Sequence, residues 1–123
     1  EAIVSIHLNA LGSPEARGAA AYYFGQDGYL SERGRRLAQL AVDNVVARTG
    51  TANCRTHPAT STVLRETRAP AVIVEPGFIT HPDEGRALSS AECQNLVAKA
   101  LSDAVVAFLV GDTPTGGATP AAA

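Results

Sequence analysis

The sequence predicts an α/β protein with a mixed, mostly parallel β-sheet that is flanked by helices. Two apolar runs, residues 2–10 and 70–75, have the composition of strands, and a helical pattern over residues 31–48 separates them. A strand, a helix and a second strand form the crossover unit that joins parallel strands of one sheet. Because the first strand begins with no preceding turn or cap, we expect the sheet to be incomplete at its N-terminus.

The composition is that of one globular domain and excludes one class of partner. The chain has 123 residues, of which 46% are hydrophobic and 18% charged, and its net charge is -2. A domain of this size can bury one core, and an acidic balance argues against a nucleic-acid partner. No apolar run is predicted to be long enough to span a membrane. We predict a domain over residues 1–110 and a flexible Pro/Gly/Ala-rich tail over residues 111–123.

The two cysteines, Cys54 and Cys93, do not have the spacing of zinc ligands. They could form one disulfide in an exported protein, and two unpaired thiols are the simpler expectation.

The first strand carries three polar side chains on one face. Side chains alternate along a strand, so Ser5, His7 and Asn9 point to one side while Ile6 and Leu8 point to the other. Such a cluster near a strand end is typical of a site. His7 could be a metal ligand or a structural histidine whose ring nitrogens are satisfied by the fold.

The middle of the chain alternates between turns and regular elements. Ser31 is a plausible N-cap for a helix that extends to about Arg48 and ends at Gly50, with Leu37 and Val45 in its apolar stripe. A second strand is predicted before this helix and an irregular polar segment after it. These predictions cover residues 18–24 and 51–62.

The strand over residues 70–75 ends on a carboxylate. Ala71, Ile73 and Glu75 share one face, and the proline that follows Glu75 has no N–H to continue the hydrogen-bonded ladder. Open α/β sheets place ligands at the carboxyl ends of their strands. Glu75 therefore marks a candidate site, although a glutamate here could also lie in solvent or pair with an arginine.

Two more helices are predicted after this strand. Pro82 suits the first turn of a short helix, and Ser89 followed by Glu92 forms a capping box that opens the last helix. Gly111 is expected to end that helix. Its apolar stripe contains Val97, Leu101, Ala104, Val105 and Phe108.

His7 and Glu75 belong at the same edge of the sheet if their two strands are parallel. A neutral imidazole is a good zinc ligand, and a nearby carboxylate can serve as a general base. This pair indicates metal-assisted hydrolysis, but one histidine does not make a zinc site.

Two motifs resemble those of a known family. Ser5-Ile-His-Leu-Asn-Ala10 is similar to an SIHxNA motif, and Val63-Leu-Arg-Glu-Thr67 followed by Pro70-Ala-Val-Ile-Val-Glu-Pro-Gly-Phe-Ile-Thr80 is similar to vLRxT…PAvLvExGFitN. Both motifs, in this order, are those of the zinc-dependent N-acetylmuramoyl-L-alanine amidases, the type 3 amidases of bacterial cell-wall turnover. The resemblance covers residues 1–109.

The resemblance implies a reaction and roles for three residues. It implies hydrolysis of the amide between N-acetylmuramic acid and L-alanine of the stem peptide, with Zn²⁺ polarising the carbonyl and activating water. By this resemblance His7 is a zinc ligand, and Glu75 is the catalytic general base and proton donor. The strand alternation adds Asn9, whose side chain is expected to contact the substrate or a metal ligand.

The resemblance is incomplete in one respect. The family also uses a second histidine and a glutamate that precede the SIHxNA strand, and His57, His81 and Glu15 do not match those positions. His81 stands where the family often has asparagine, so it could contact the cleft. We therefore expect this chain to be the C-terminal part of a catalytic domain. Without its upstream segment, which was clipped off or forms a separate chain, it is expected to hold zinc weakly and to be inactive. The expected substrate is peptidoglycan, and the expected location is extracytoplasmic.

Two alternatives stay open. An amidase-like fold could bind peptidoglycan or a regulatory partner without cutting it, and the missing ligands favour that hypothesis. A different zinc peptidase on a related sheet is the other alternative, and the reaction products distinguish it from an amidase.

Overall fold

The structure, a computed structural model, describes residues 1–112 as one sheet with helices packed against it. The predicted tail, apart from its first two residues, lies outside the described residues. In chain order the elements are β1 (Ile3–Ile6), β2 (Ala19–Gln26), β3 (Tyr29–Leu30), α1 (Glu32–Thr49), β4 (Asn53–Ala59), α2 (Thr62–Arg65), β5 (Ala71–Glu75), α3 (Pro82–Leu88) and α4 (Ala91–Asp112).

The sheet is mixed, as the sequence predicts. Its strand order is β1-β5-β2-β3, and β4 also pairs with β2. The β1–β5 and β2–β4 pairings are parallel, whereas the β2–β5 and β2–β3 pairings are antiparallel. The parallel pairings join more residues than the antiparallel ones. The prediction of a mixed, mostly parallel sheet flanked by helices is confirmed.

Helices α1 and α4 cover one face of this sheet and form the main core with it. The Ser31 hydroxyl accepts a hydrogen bond from the Gly34 N–H at 3.1 Å, and Gly50 ends α1 with a φ of 73°. These caps confirm the predicted helix. The core residues contributed by the two helices and the sheet include Leu37, Ala41, Val42, Val45, Val72, Val74, Leu101, Ala104 and Phe108.

The predicted irregular segment over residues 51–62 is wrong, because it contains β4 and the start of α2. Strand β4 has the sequence NCRTHPA, pairs with β2 alone within residues 1–112, and buries none of its residues fully. A polar edge strand lacks the apolar alternation by which strands are identified, and Pro58 is tolerated there because edge strands leave some N–H groups unpaired.

The ends of the last two helices differ in part from the prediction. Pro82 occupies the first turn of α3, as expected, and His81 caps this helix. The capping box is wrong: the Ser90 hydroxyl accepts from the Cys93 N–H at 3.1 Å, whereas Ser89 donates to a carbonyl of α3. Helix α4 also continues through Gly111 to its last described residue.

Helix α4 meets the length and composition of a membrane span over residues 91–111, with a mean hydropathy of 1.4. The prediction that no apolar run is long enough is therefore wrong. Within the structure this helix packs one side into the core, through residues such as Leu101 and Phe108, against α1. A core helix passes the same test, so the finding alone is weak support for a membrane segment.

Gly18, at the entry to β2, has a backbone conformation that other residues avoid. Its φ is 119°, and a Cβ atom there would lie 2.5 Å from Cys54 Sγ and 2.8 Å from the Ala52 carbonyl oxygen. We expect Gly18→Ala to lower the free energy of unfolding by roughly 2–3 kcal/mol, because strain and overlap add. Urea denaturation measures this change. Gly12→Ala is the control, since nothing lies within 4 Å of its Cβ position; equal losses in both variants would contradict the steric argument.

Candidate active site at the carboxyl edge of the sheet

The parallel pairing of β1 with β5 brings His7 next to Glu75. Ile6 is paired with Val74, and the His7 N–H donates to the Val74 carbonyl at 3.0 Å, so the register continues one residue beyond β1. Directly paired residues project to the same face of a sheet. His7 and Glu75 are therefore neighbours on one face, at the carboxyl ends of adjacent strands.

His7 is exposed and has one hydrogen-bonded side. Its Nε2 atom lies 2.9 Å from the Ser5 hydroxyl oxygen, and Ser5 precedes it by two residues on the same strand face. A metal-binding histidine usually donates one ring N–H to a neighbouring oxygen, which orients the ring and leaves the other nitrogen for the metal. The Ser5 contact allows this arrangement, with Nδ1 as the ligand atom.

Tyr22 of β2 lies beside Glu75. Burial raises the pKa of the Tyr22 hydroxyl, and the charge of the Glu75 carboxylate and a hydrogen bond with it raise this pKa further. The ring of His57 on β4 is 5.6 Å from the Tyr22 ring. Tyr22 is paired with Ile73, and Ile73 and Glu75 lie on the same face of β5. This face of the sheet is opposite the face that α1 and α4 cover. The alternation of β2 was the signal that could have identified Tyr22.

Asn9 is held to the turn after Glu75 through its backbone. Its N–H donates to the Gly77 carbonyl at 2.9 Å, and its carbonyl accepts from the Ile79 N–H at 2.8 Å. The Asn9 side chain accepts a hydrogen bond from the Ala10 N–H at 2.8 Å. The expected contact of Asn9 with the substrate or with a metal ligand stays a prediction.

The residues at this edge do not amount to a complete metal site. Within residues 1–112, no group of three or more histidine, cysteine or acidic side chains could hold a metal ion. His81 uses its Nδ1 to accept the N–H groups of Asp83 and Glu84, both at 3.2 Å, so it caps α3. Both cysteines are free thiols, as the simpler expectation had it. One imidazole and one carboxylate fall short of the three protein ligands that catalytic zinc requires.

Glu84, which no sequence motif indicated, is a buried carboxylate on α3. It accepts hydrogen bonds from the N–H groups of Gly18 and Phe78 and from the Thr51 hydroxyl. Burial alone would raise its pKa, but the Thr51, Phe78 and Gly18 hydrogen bonds and the charge of Arg17 outweigh it and lower the pKa. Glu84 therefore stabilises the fold as a charged group.

This lowered pKa predicts an acid-dependent loss of stability. A carboxylate whose folded pKa lies below its ordinary value of 4.5 stabilises the fold fully above that pH. This contribution is lost as the pH falls through the folded pKa. We expect the native chain to have a higher free energy of unfolding than Glu84→Gln. This difference should be largest at neutral pH and should narrow below pH 4.5. Urea denaturation from pH 7 to about pH 3 measures the gap.

The control for this measurement is Glu66→Gln, because Glu66 is an exposed carboxylate that pairs with Arg65 at 3.0 Å. Its effect should be under about 1 kcal/mol at neutral pH. A gap between native and Glu84→Gln proteins that stays constant with pH would contradict the assignment of a charged Glu84.

A large cavity of the structure lies away from this edge. It has a volume of about 560 Å³ and is found at the start of β5, where Pro70 and Ala71 line it together with Arg65 and Arg68. Glu75 ends the same strand at the opposite edge of the sheet. Because size alone does not identify chemistry, the convergent polar groups around Glu75 are the better candidate site.

Comparisons with known proteins identify the family of the chain. The family model for N-acetylmuramoyl-L-alanine amidases matches residues 1–107. The protein named N-acetylmuramoyl-L-alanine amidase CwlM of Mycobacterium tuberculosis is 38% identical over 118 residues, which are 93% of this chain and 29% of CwlM.

Solved amidase structures share the fold. The amidase AmiC2 of Nostoc punctiforme superposes with a TM-score of 0.79 at 29% identity, over 89% of this chain and 58% of that one. An N-acetylmuramoyl-L-alanine amidase from Clostridium difficile superposes with a TM-score of 0.83 at 26% identity, over 91% and 59% of the two chains. This chain thus spans less than two thirds of each of these relatives.

Proposed function

The chain belongs to the N-acetylmuramoyl-L-alanine amidase family, and from this premise we propose that it forms part of a peptidoglycan hydrolase. The proposed reaction is cleavage of the amide between N-acetylmuramic acid and L-alanine of the stem peptide. The observation that carries the proposal is the pairing of His7 with Glu75 on one sheet face, at the carboxyl ends of two parallel strands.

In this proposal Glu75 transfers the protons of the reaction. Its carboxylate accepts a proton from the attacking water and delivers it to the nitrogen of the leaving amine. The Tyr22 hydroxyl beside it interacts with the carboxylate and fixes its orientation. Asn9 is proposed to contact the substrate or a neighbour of the ligands, because it follows His7 on the same strand face.

Zinc is the proposed cofactor, and His7 is its proposed ligand in this chain. Bound zinc would supply Lewis acidity at the scissile carbonyl and at the water. The described residues provide too few ligands to hold it alone. The imidazole of His7 fits zinc as a ligand. The Ser5 hydroxyl oxygen is within hydrogen-bond distance of one ring nitrogen of His7, and the other ring nitrogen remains for the metal.

We propose that an upstream segment of the same domain, on the same chain or on a separate one, completes both the ligand set and the sheet. Within the described residues β1 pairs with β5 along one edge alone, so its other edge can accept a strand. Ile6 and Leu8 beside that edge are 56% and 48% exposed. Exposure of these apolar side chains to solvent is unfavourable, and an adjoining segment would cover them.

The proposed site of action is peptidoglycan outside the cytoplasm. Support comes from relatives such as the probable cell wall amidase LytH of Staphylococcus epidermidis, which is 28% identical over 103 residues.

The full-length protein tests this proposal through two measurements. Elemental analysis should find about one zinc per protein, and incubation with peptidoglycan should release peptides that begin with L-alanine, an activity that a chelator abolishes. Release of single amino acids from peptide ends would indicate a peptidase instead. A protein without zinc and without hydrolysis would contradict the proposal.

One observation favours a second candidate function. Because the described residues lack a ligand set, this part of the protein could serve as an amidase-like module that binds peptidoglycan or a regulatory partner without cutting it. Binding of peptidoglycan fragments by a full-length protein that lacks zinc would support this candidate.

A further inference from the structure

We propose that Glu84 is a positioning residue for the reaction, which holds the turn after Glu75 and thereby orients the catalytic carboxylate. This inference rests on the proposed hydrolase function. Glu84 lies on α3, nine residues beyond Glu75, and does not contact the reacting groups in our proposal. Its side chain is among the most buried polar groups of the structure, with the residue 8% exposed.

The first contact of Glu84 is with the turn itself. The Phe78 N–H donates to Glu84 Oε1 at 3.0 Å, and Phe78 lies three residues after Glu75. The two residues between them, Pro76 and Gly77, are buried. Fixing the Phe78 amide therefore fixes the path of the backbone as it leaves the catalytic residue.

The other contacts of Glu84 connect this turn to the rest of the sheet. The Gly18 N–H lies 3.0 Å from Oε1 and 3.1 Å from Oε2, and the Thr51 hydroxyl donates to Oε2. Gly18 leads into β2, whose Ala20 is paired with Glu75. One carboxylate thus joins the turn to the segments that precede β2 and β4.

The same turn also holds the segment that carries His7. The Asn9 N–H donates to the Gly77 carbonyl at 2.9 Å, and the Asn9 carbonyl accepts from the Ile79 N–H at 2.8 Å. A shift of the turn away from Glu84 would therefore move both partners of the proposed site, His7 and Glu75, relative to each other.

The local sequence allows the backbone to approach the carboxylate closely. A Cβ atom on Gly77 would lie 3.1 Å from Glu84 Oε1, which is tighter than ordinary contact, and Gly18 has no space for a side chain either. The His81 cap fixes the start of α3, because its Nδ1 accepts the Glu84 N–H at 3.2 Å. These contacts explain why a carboxylate is needed here: both its oxygens accept, whereas a glutamine would direct an NH₂ donor at one of the N–H or O–H donors.

The test compares Glu84→Gln with a variant that loses stability without touching the turn. Val45→Ala is that control, because Val45 is fully buried in α1 and is absent from the contacts of the site. Both variants of the zinc-loaded full-length protein are assayed on a muramoyl-peptide substrate, at a temperature well below either unfolding midpoint. We expect Glu84→Gln to lower kcat roughly 10- to 100-fold while KM and zinc content stay near native values. Val45→Ala should keep kcat within about twofold.

A second readout does not depend on activity. Hydrogen exchange of the Phe78 and Gly18 amides should accelerate in Glu84→Gln more than in Val45→Ala, relative to amides elsewhere in the core. If Glu84→Gln does not fold, Glu84→Asp replaces it. That variant keeps the charge but is one methylene too short to reach all three donors, and it should lose kcat in the same manner.

The outcomes separate this inference from the proposed function. A native protein that neither binds zinc nor hydrolyses the substrate overturns the proposed function. If hydrogen exchange of the Phe78 amide is then also unchanged in Glu84→Gln, the role of Glu84 in ordering the turn is overturned as well. An active native protein whose Glu84→Gln variant keeps native kcat overturns the positioning role alone. A kcat loss of the same size in Val45→Ala would also overturn it, because general destabilisation would then explain the effect.

Discussion

Glu75→Gln in the full-length protein should reduce turnover of a muramoyl-peptide substrate by roughly a thousandfold, while zinc content stays unchanged. Glutamine has nearly the size and shape of glutamate, so the packing beside Tyr22 is kept. It cannot accept the proton of the attacking water or return it to the leaving amine. Because Glu75 is the last residue of β5, at the edge where His7 follows β1, the loss should appear in kcat with little change in metal binding.

The matched control for this variant is Glu66→Gln, which also replaces a carboxylate by an amide. The Glu66 side chain is 65% exposed and forms an ion pair with Arg65. Replacing its carboxylate should therefore leave turnover within about twofold of the native value. Steady-state kinetics together with elemental analysis measure both variants. Native turnover in Glu75→Gln would remove Glu75 from the mechanism, and loss of zinc from it would indicate that Glu75 is a metal ligand.

Phe108→Ala should have the largest effect on stability, a loss of roughly 3–5 kcal/mol in the free energy of unfolding. The Phe108 ring of α4 is fully buried, and it packs in the core cluster between α1, α4 and the sheet. The guanidinium group of Arg36 lies 4.5 Å from the ring centroid and donates to the Phe108 carbonyl at 3.0 Å. The substitution leaves a cavity and removes this cation–π contact.

The control for Phe108→Ala lies on the same helix. Val106 is 57% exposed, so Val106→Ala should cost less than about 1 kcal/mol. Chemical denaturation of the chain measures both changes. Similar losses in the two variants would contradict the placement of Phe108 in the core and the assignment of the outer side of α4 to solvent.

Local signals in the sequence predicted those elements whose patterns are strong. The apolar run ending at Glu75 and the capped helix that begins after Ser31 both appear as expected, because burial and capping leave clear periodicities and cap residues. Strand β4 was missed because it is a polar edge strand that holds its place by pairing with β2. A sequence pattern indicates a strand through its alternation of buried and exposed side chains. A polar edge strand buries few side chains, so it lacks this alternation.

The candidate site was predictable in part for a similar reason. His7 and Glu75 could be assigned to one edge because each lies at the carboxyl end of a strand, and the parallel register agrees with that expectation. Tyr22 and Glu84 were not identified as site residues. Tyr22 acquires its role from contact with Glu75, and Glu84 acquires its role from contact with Gly18. The two residues of each pair are more than 50 positions apart in the chain. No local pattern records such contacts.

Anomalous diffraction at the zinc absorption edge, from crystals of the full-length protein, tests the central claim most directly. We predict one strong peak within bonding distance of a His7 ring nitrogen, roughly 2.0–2.1 Å away, with the Glu75 carboxylate beside the ion but outside its ligand set. A zinc peak elsewhere, or a fully loaded protein whose His7 does not bind the ion, would contradict the account.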